Sequence, residues 1–393
     1  MADHLPTHAP APLDDRRLVT PFTLFLAVLS LAAGVVVLIR FIFGLGAVTN
    51  LSDGYPFGIW IVYDVVIGSG FACGGYAMAL LVYIFNKGEY HPLVRPALLA
   101  SLLGYTLAGV SVMMDMGRYW NAWHIFWPGD AQVNSVLFEV ATCITLYILV
   151  MWIEFSPVYL DKIGLGWVKK KISKLMFLFI ALGVLLPSMH QASLGSMLVV
   201  FGSQVNPLWR SGYMMPLEYL MTAVLLGFAA VVVEATLVAV GFKRPLETAL
   251  LAKLAKFIWG LLLAYLVVRI AGLVMRGAMA NAFQATVQSL CFWVEMISFI
   301  MPLVMLARIA DRNNPGRLFG AATLLMLGGF MLRLNGYLVG YDKGEGWHYL
   351  PSLPELTITI GFIAFEILAY TLLVRILPVL PALPGQVSRR ADC

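Results

Sequence analysis

The chain has 393 residues, of which 61% are hydrophobic and 12% charged, and its formal net charge is +5. Soluble domains carry about twice this share of charged residues, so the composition excludes a soluble globular protein. Basic loops at a membrane surface explain the small positive charge better than nucleic-acid binding does, and no nucleic-acid partner is expected. The sequence therefore predicts an all-α polytopic membrane protein embedded in a lipid bilayer.

Ten apolar segments are long enough to cross a bilayer as helices, and mostly short loops separate them. The first is too long for a signal-peptide core and is predicted to be retained as span 1. The polar ends, 1–17 and 381–393, are predicted to be tails. The ten predicted spans are 18–43, 57–85, 92–118, 133–155, 172–201, 213–241, 247–276, 286–309, 317–340 and 355–380.

Lysine and arginine are distributed unevenly between the two sets of loops. Eighteen of them lie in one set and in the tails, whereas four lie in or beside the opposite loops. The more basic side is predicted to be cytoplasmic, which places both termini in the cytoplasm. The opposite loops are rich in aromatic residues, which suit the membrane interface or a docking partner outside.

Similar residues recur at a nearly constant separation. Arg118 and Arg276 are 158 positions apart, and Glu139 and Glu295 are 156 apart. A parallel repeat of this kind predicts two four-helix bundles, made of spans 2–5 and spans 6–9, flanked by spans 1 and 10. The predicted units are span 1 at 18–43, the first bundle at 57–202, the second bundle at 213–340 and span 10 at 355–380.

The stretch 54–77, GYPFGIWIVYDVVIGSGFACGGYA, combines an apolar run of spanning length with one acid, Asp64. Four glycines follow the acid, and small residues let a neighbouring helix approach closely in lipid. An acid inside a membrane helix is costly and usually faces protein or water. The stretch is therefore predicted to be a packed interior helix with a titratable group.

Five titratable groups are predicted to converge in the outer third of the first bundle. Arg118 follows Asp115 by three positions, which places both on one helical face. Polar groups within a membrane suggest a functional site; the alternative is a structural Asp115–Arg118 ion pair with Glu139 as a hydrogen-bonded strut. The predicted cluster comprises Asp64, Asp115, Arg118, Glu139 and His190, with Gln191 next to the histidine.

Charged residues in the remaining spans have other expected roles. Glu234 and Glu366 are lone acids in apolar runs, and they are candidates for a proton path. Glu154 is expected to end its helix. The charges of the second bundle, expected to pair with one another and to be structural, are Glu218, Arg269, Arg276, Glu295 and Arg333.

No motif for a metal or a redox cofactor is present. A bis-histidine haem needs two histidines at matching depth on facing helices. Only His190 lies within a predicted span, so the subunit is expected to contain no haem. The cysteines predict neither a metal site nor a disulfide framework, because no CxxC pair occurs among Cys73, Cys143, Cys291 and Cys393.

The predicted cluster has the groups that quinone chemistry requires. A quinone site needs an apolar slot, a donor near each carbonyl and a proton source of matched pKa. His190, together with Asp64, Asp115 and Glu139, meets this description. A secondary transporter built of repeats and a passive membrane anchor are the rival interpretations, but an anchor leaves the intramembrane acids unexplained.

Six stretches carry a resemblance to a known family: FGLGAV (43–48), the 54–77 stretch, YHPLVRPALLASLLGYTLAGVSVMMDMGRYWN (90–121), NSVLFE (134–139), LPSMHQASLGSM (186–197) and NPLW (206–209). In these stretches the chain resembles the membrane subunits of the NrfD/polysulfide-reductase family, most closely its hydrogenase-2 branch. The resemblance spans nearly the whole chain and is more specific in the first bundle than in the second.

The resemblance implies a haem-free subunit of a respiratory oxidoreductase with a menaquinone or other quinone site near the outer face. Electrons would come from an extracytoplasmic ferredoxin-like iron–sulfur subunit, fed by the large and small subunits of a [NiFe] hydrogenase or, alternatively, by a polysulfide or molybdenum-type reductase. The quinone contacts would be His190, Asp64 and Gln191, and Asp115 with Arg118 would tune them. The family also implies a proton conduit, for which the candidates are Glu139, Glu234 and Glu366.

Overall fold

The computed structural model describes residues 13, 17–55 and 57–381. Ten helices in this described part are long and apolar enough to cross a membrane, which confirms the predicted all-α polytopic fold. The predicted tails lie outside the described residues except for residues 13, 17 and 381. The helices are α1 Pro21–Phe43, α2 Trp60–Ile84, α3 His91–Asp115, α4 Val136–Lys162, α5 Gly166–Phe201, α6 Met215–Gly241, α7 Thr248–Met275, α8 Val287–Met305, α9 Pro315–Leu334 and α10 Leu353–Ile376.

Side-chain caps fix where several of these helices begin. Thr20 accepts a hydrogen bond from a first-turn N–H group of α1, and Thr286 does the same for α8. At α10, Ser352 and Glu355 form a reciprocal capping box. Such caps satisfy N–H groups that have no partner within the helix. They explain why these helices begin at polar residues next to apolar runs.

Helix α2 is the centre of the structure. It packs against α3, α5, α6, α9 and α10, and its most apolar window is 78% buried, compared with 17% for α1. Its backbone is irregular, with π-helical turns over Trp60–Ile67 and Leu80–Ile84 and a turn between them at Ala72 and Cys73. The prediction that the 54–77 stretch contributes a buried interior helix is thus confirmed for the part within α2.

Helices α1 and α10 pack against each other along the side of the structure. Their closest approach is at Ala33 and Gly361, where a Cβ atom added to the glycine would lie 2.1 Å from the Ala33 Cβ atom. Small residues at such a crossing allow two helices to approach closely in lipid. The first and last spans of the chain therefore form a tightly fitted pair.

Consecutive helices are neighbours within both α2–α5 and α6–α9, and contacts between α2 and α5 and between α6 and α9 join the ends of each set. Helix α2 also packs against α6 and α9, so many contacts cross between the two sets. The division into two bundles and the domain limits therefore remain predictions. We call the side on which α2 begins and α3 ends the predicted outer side.

Candidate functional site

A central polar cluster joins helices α2, α3 and α5 inside the apolar core. The Ser69 hydroxyl accepts a hydrogen bond from Gln191 Nε2 at 2.9 Å and lies 3.2 Å from His190 Nε2. Gln191 Nε2 also lies 3.4 Å from the Tyr105 hydroxyl, and the Tyr105 and His190 rings meet edge to face. All four side chains are fully buried. The sequence predicted a role for His190 and Gln191 but missed Ser69 and Tyr105.

Arg333 extends this cluster to α9 and α6. Its guanidinium donates to Gln191 Oε1 at 3.0 Å and to Thr222 Oγ1 at 3.3 Å, and it lies over the Tyr219 ring. The side chain is fully buried, yet no carboxylate of the described residues forms an ion pair with it. The prediction that Arg333 pairs with acids of the second bundle is therefore wrong, because its contacts are amide, hydroxyl and aromatic groups.

Two buried nitrogen atoms in the cluster are unsatisfied. Within the described chain, neither His190 Nδ1 nor Arg333 Nε has a hydrogen-bond partner. Most buried polar atoms in proteins are satisfied by protein or water, and a buried cation without a counter-charge is costly. This combination of donors and positive charge suits a molecule with carbonyl oxygens that gains negative charge on reduction.

Asp64 lies nearer the predicted outer side than His190 does. Its Oδ2 accepts a hydrogen bond from Ser111 at 3.1 Å, and the residue is buried. Asp64 follows the start of α2 by four residues, about 6 Å of helix, whereas His190 precedes the end of α5 by eleven residues, about 16 Å. The predicted convergence of both groups in the outer third is therefore wrong, because His190 lies near mid-depth.

The predicted Asp115–Arg118 pair does not form. Helix α3 ends at Asp115, so the three-residue helical spacing no longer applies, and Arg118 is exposed. The arginine at this position is instead the buried Arg40 of α1, which donates at 2.5 Å to the carbonyl oxygens of Met114 and Met116. Arg40 is also near enough to Asp115 to act on its charge. No pattern in the sequence indicates that the lone arginine of span 1 turns inward.

Glu139 is not part of the cluster either. It lies in the first turn of α4 and is partly exposed. Among the hydrogen bonds and ion pairs of the described residues, none involves its carboxylate. No bond among the described residues therefore joins Glu139 to Asp64 or His190, and its predicted role as a relay stays a prediction.

A second buried polar group, the ion triad, lies among α6, α7 and α8. Arg269 pairs with Glu218 and with Glu295, each at 3.1 Å, and all three side chains are fully buried. Trp209 Nε1 donates to Glu295 Oε2 at 2.7 Å. The predicted mutual pairing holds for these three residues. It is wrong for Arg276, whose guanidinium bonds backbone carbonyl oxygens and a serine hydroxyl.

The deeper acids contact different helices. The Tyr370 hydroxyl of α10 donates a hydrogen bond to Glu234 Oε1 of α6. Glu366 of α10 reaches the surface of α3, where its Oε1 atom would lie 3.1 Å from a Cβ atom added to Gly104. Glu154 lies mid-helix in α4 against α5, so the expectation that it ends its helix is wrong.

The loops on the predicted outer side close over the start of α2. The buried Glu355 carboxylate accepts hydrogen bonds from the Asn50 N–H group and from the Tyr349 hydroxyl, at 3.0 and 2.7 Å. Burial and this bond to Glu355 raise the pKa of the Tyr349 phenol above its ordinary value, which keeps it a donor. A shallow groove of about 580 Å³ on the same side, next to Trp293, contains no predicted site residue.

These features define the class: an all-α polytopic membrane protein with a central polar cluster and a separate ion triad in its core. A profile described as "Polysulphide reductase, NrfD" matches residues 47–339, and the chain belongs to the NrfD family. It is 44% identical over 388 residues to the "Probable Ni/Fe-hydrogenase 2 b-type cytochrome subunit" of Escherichia coli, covering 98% of this chain and 99% of that protein. It is also 29% identical to the "Menaquinone reductase, integral membrane subunit" of Nitratidesulfovibrio vulgaris, over 86% of each chain.

The comparison with the E. coli protein corrects the cofactor prediction. A protein named as a b-type cytochrome subunit is one that carries haem, so the expectation of a haem-free subunit is contradicted. The described histidines do not fit a bis-histidine haem, which needs two of them facing each other inside the membrane. His190 is the one histidine in the interior of a described span, while His91 is exposed at the start of α3.

Proposed function

We propose that this chain is the quinone-reactive membrane subunit of a respiratory oxidoreductase, with a periplasm-facing [NiFe] hydrogenase as its catalytic partner. Electrons would arrive from an extracytoplasmic ferredoxin-like iron–sulfur subunit and reduce menaquinone or a related quinone. The names of the two relatives, a hydrogenase subunit and a menaquinone reductase subunit, support this assignment. The proposal places the chain in the bacterial inner membrane with both termini in the cytoplasm.

The observation that carries the proposal is the central polar cluster with its uncompensated cation. A quinone that accepts two electrons develops negative charge on its carbonyl oxygens and takes up two protons. Preorganised donors and a fixed positive charge in a low-dielectric site stabilise such charge. Arg333 Nε is a free donor, and His190 Nδ1 has no partner within the described chain. Gln191 holds the arginine in place through its amide oxygen.

Protons would reach the quinone through carboxyl groups at other depths. Asp64, held by Ser111, lies nearer the predicted outer side, and Asp115 lies beside Arg40 rather than Arg118. Glu139, Glu234 and Glu366 remain the proposed proton path. Protons drawn from the cytoplasm would make quinone reduction contribute to the membrane potential, whereas protons drawn from outside would not.

The first test compares two electron acceptors in the intact complex that co-purifies with the tagged chain in mild detergent. Arg333→Gln should lower the reduction of a menaquinone analogue at least tenfold, because the fixed charge is lost. Reduction of a soluble dye by the partner subunits should be unchanged. Arg276→Gln is the matched control, since that arginine is half-exposed and bonds backbone oxygens.

The second test addresses the proton supply. Glu139→Gln should slow quinone reduction while assembly of the complex stays intact.

Normal quinone turnover in Arg333→Gln would refute the quinone site, and normal turnover in Glu139→Gln would remove the relay role. A chain that purifies without any redox partner would favour a transporter. A molybdenum-type partner would keep the quinone site but change the substrate of the complex.

A further inference from the structure

One face of α10 carries three polar residues, of which Thr359 is buried and Glu366 and Tyr370 are partly exposed. Thr359, Glu366 and Tyr370 occupy positions i, i+7 and i+11, which lie within a narrow angular range on a helix with 3.6 residues per turn. Thr359 is only 5% exposed, and its hydroxyl has no hydrogen-bond partner within the described chain. Helix α10 lies beyond the residues 47–339 that match the family.

These side chains contact the helices that hold the other acids. The Tyr370 hydroxyl donates to Glu234 of α6. The Glu366 carboxylate reaches into the contact between α3 and α2, where a Cβ atom added to Gly104 would lie 3.1 Å from Glu366 Oε1 and 2.7 Å from Ala72 Cβ. Helix α10 packs against both of these helices. Its polar face is thus turned toward α3 and α6.

Counting residues from the predicted outer ends gives the depth of each group at about 1.5 Å per residue. Asp64 of α2 lies at about 6 Å and Thr359 at about 9 Å. Glu366 lies at about 20 Å, Tyr370 at about 26 Å and Glu234 of α6 at about 28 Å. The depths counted separately along α6 and α10 agree for Glu234 and Tyr370, which are hydrogen-bonded to each other. Together the groups cover most of a hydrocarbon core of about 30 Å.

We propose that α10 completes a proton-transfer line from Glu234 through Tyr370, Glu366 and Thr359 to Asp64. This inference rests on the proposed function, for which the line supplies the protons that quinone reduction consumes. Each step moves one proton: a carboxylic acid gives up its proton, and a hydroxyl donates its own proton while accepting another. Bound water must bridge the step of about 10 Å between Glu366 and Thr359, where polar groups at both ends can hold it.

The line shares Glu234 and Glu366 with the proposed proton path, and its outer end is Asp64, held by Ser111 at 3.1 Å. Glu139 lies at the outer start of α4, partly exposed and without a bonded partner among the described residues. A relay through Glu139 is therefore a separate branch of that path, with the separate test given above. Tyr370 relays the proton between Glu234 and the polar face of α10, because its hydroxyl bonds the Glu234 carboxyl.

The test uses the whole complex reconstituted in lipid vesicles. Tyr370→Phe removes one hydroxyl, and Glu366→Gln replaces a carboxyl by an amide of similar size. The matched controls are Tyr159→Phe, whose hydroxyl makes one long contact of 3.5 Å to a backbone carbonyl, and Glu154→Gln, at the α4–α5 interface. Two quantities are measured: proton flux under an imposed potassium diffusion potential, and membrane potential formed per menaquinone analogue reduced.

Tyr370→Phe should lower the proton flux about tenfold, the effect of one hydrogen bond, and Glu366→Gln about a hundredfold, the effect of losing a proton-transfer group. Both should lower the potential formed per quinone, whereas the two controls keep wild-type values. Wild-type flux in both line variants overturns the inference, as does a wild-type complex that conducts no protons. If the proton flux falls in the line variants but the wild-type complex reduces no quinone, the proposed function is refuted and the proton-transfer line is supported.

Discussion

Removal of the cation from the ion triad should destabilise the protein strongly. Arg269→Met leaves Glu218 and Glu295 buried and close together, without the guanidinium that each now contacts at 3.1 Å. Loss of one partner from a buried ion pair costs about 3–5 kcal/mol, because the remaining charge stays desolvated. At about 2 °C per kcal/mol for a large chain, the midpoint of thermal unfolding should fall by about 6–10 °C.

A variant without any charge in the ion triad tests whether the unpaired carboxylates cause the loss of stability. Arg269→Met combined with Glu218→Gln and Glu295→Gln removes both carboxylates and should recover most of the lost stability. Thermal unfolding in detergent can be followed by the intrinsic fluorescence of the ten tryptophans. Arg276→Met is the control and should shift the midpoint by about 1 °C or less, since this side chain is exposed and bonds backbone oxygens. An unchanged midpoint in Arg269→Met, or a triple variant as unstable as the single one, would refute this reasoning.

Three further changes probe packing and the outer loops. Gly227→Ala should cost about 1–3 kcal/mol in thermal unfolding, because the added Cβ atom would lie 2.4 Å from the Cys73 carbonyl oxygen, whereas Gly272→Ala meets no atom within 4 Å and serves as its control. Glu355→Ala should expose the outer loops to limited proteolysis without changing the number of spans, since it removes the acceptor of two loop contacts; an unchanged digestion pattern would contradict this. Ser69→Ala should lower quinone reduction several-fold and leave dye reduction intact, because it releases the His190 and Gln191 side chains.

The sequence was sufficient for the features that depend on local composition. Runs of apolar residues long enough to cross the bilayer gave the ten helices. The single acid in the 54–77 stretch indicated a buried helix, because an acid in lipid is costly. The pairing of Glu218, Arg269 and Glu295 followed from the same cost, since buried charges must find partners.

Features that depend on contacts between distant parts of the chain could not be predicted from the sequence. Gln191 and Arg333 are 142 positions apart and meet only because α5 and α9 both border α2. The Asp115–Arg118 pair does not form because α3 ends at Asp115. A hydropathy pattern does not locate a helix end to the exact residue. Arg40 gave no signal because its partners are backbone carbonyl oxygens, which no side-chain pattern records.

The pairing of α1 with α10 has a consequence for biosynthesis. Phe43 ends one helix and Leu353 begins the other, so the ribosome adds about 310 residues between them. At about 5–20 residues per second, this takes roughly 15 to 60 s. Throughout that interval the surface of α1 around Ala33 faces lipid or the insertion machinery, because α10 has not yet been made. A transcript cut short before α10 would therefore yield nine inserted helices with an open seam, which membrane quality control can recognise.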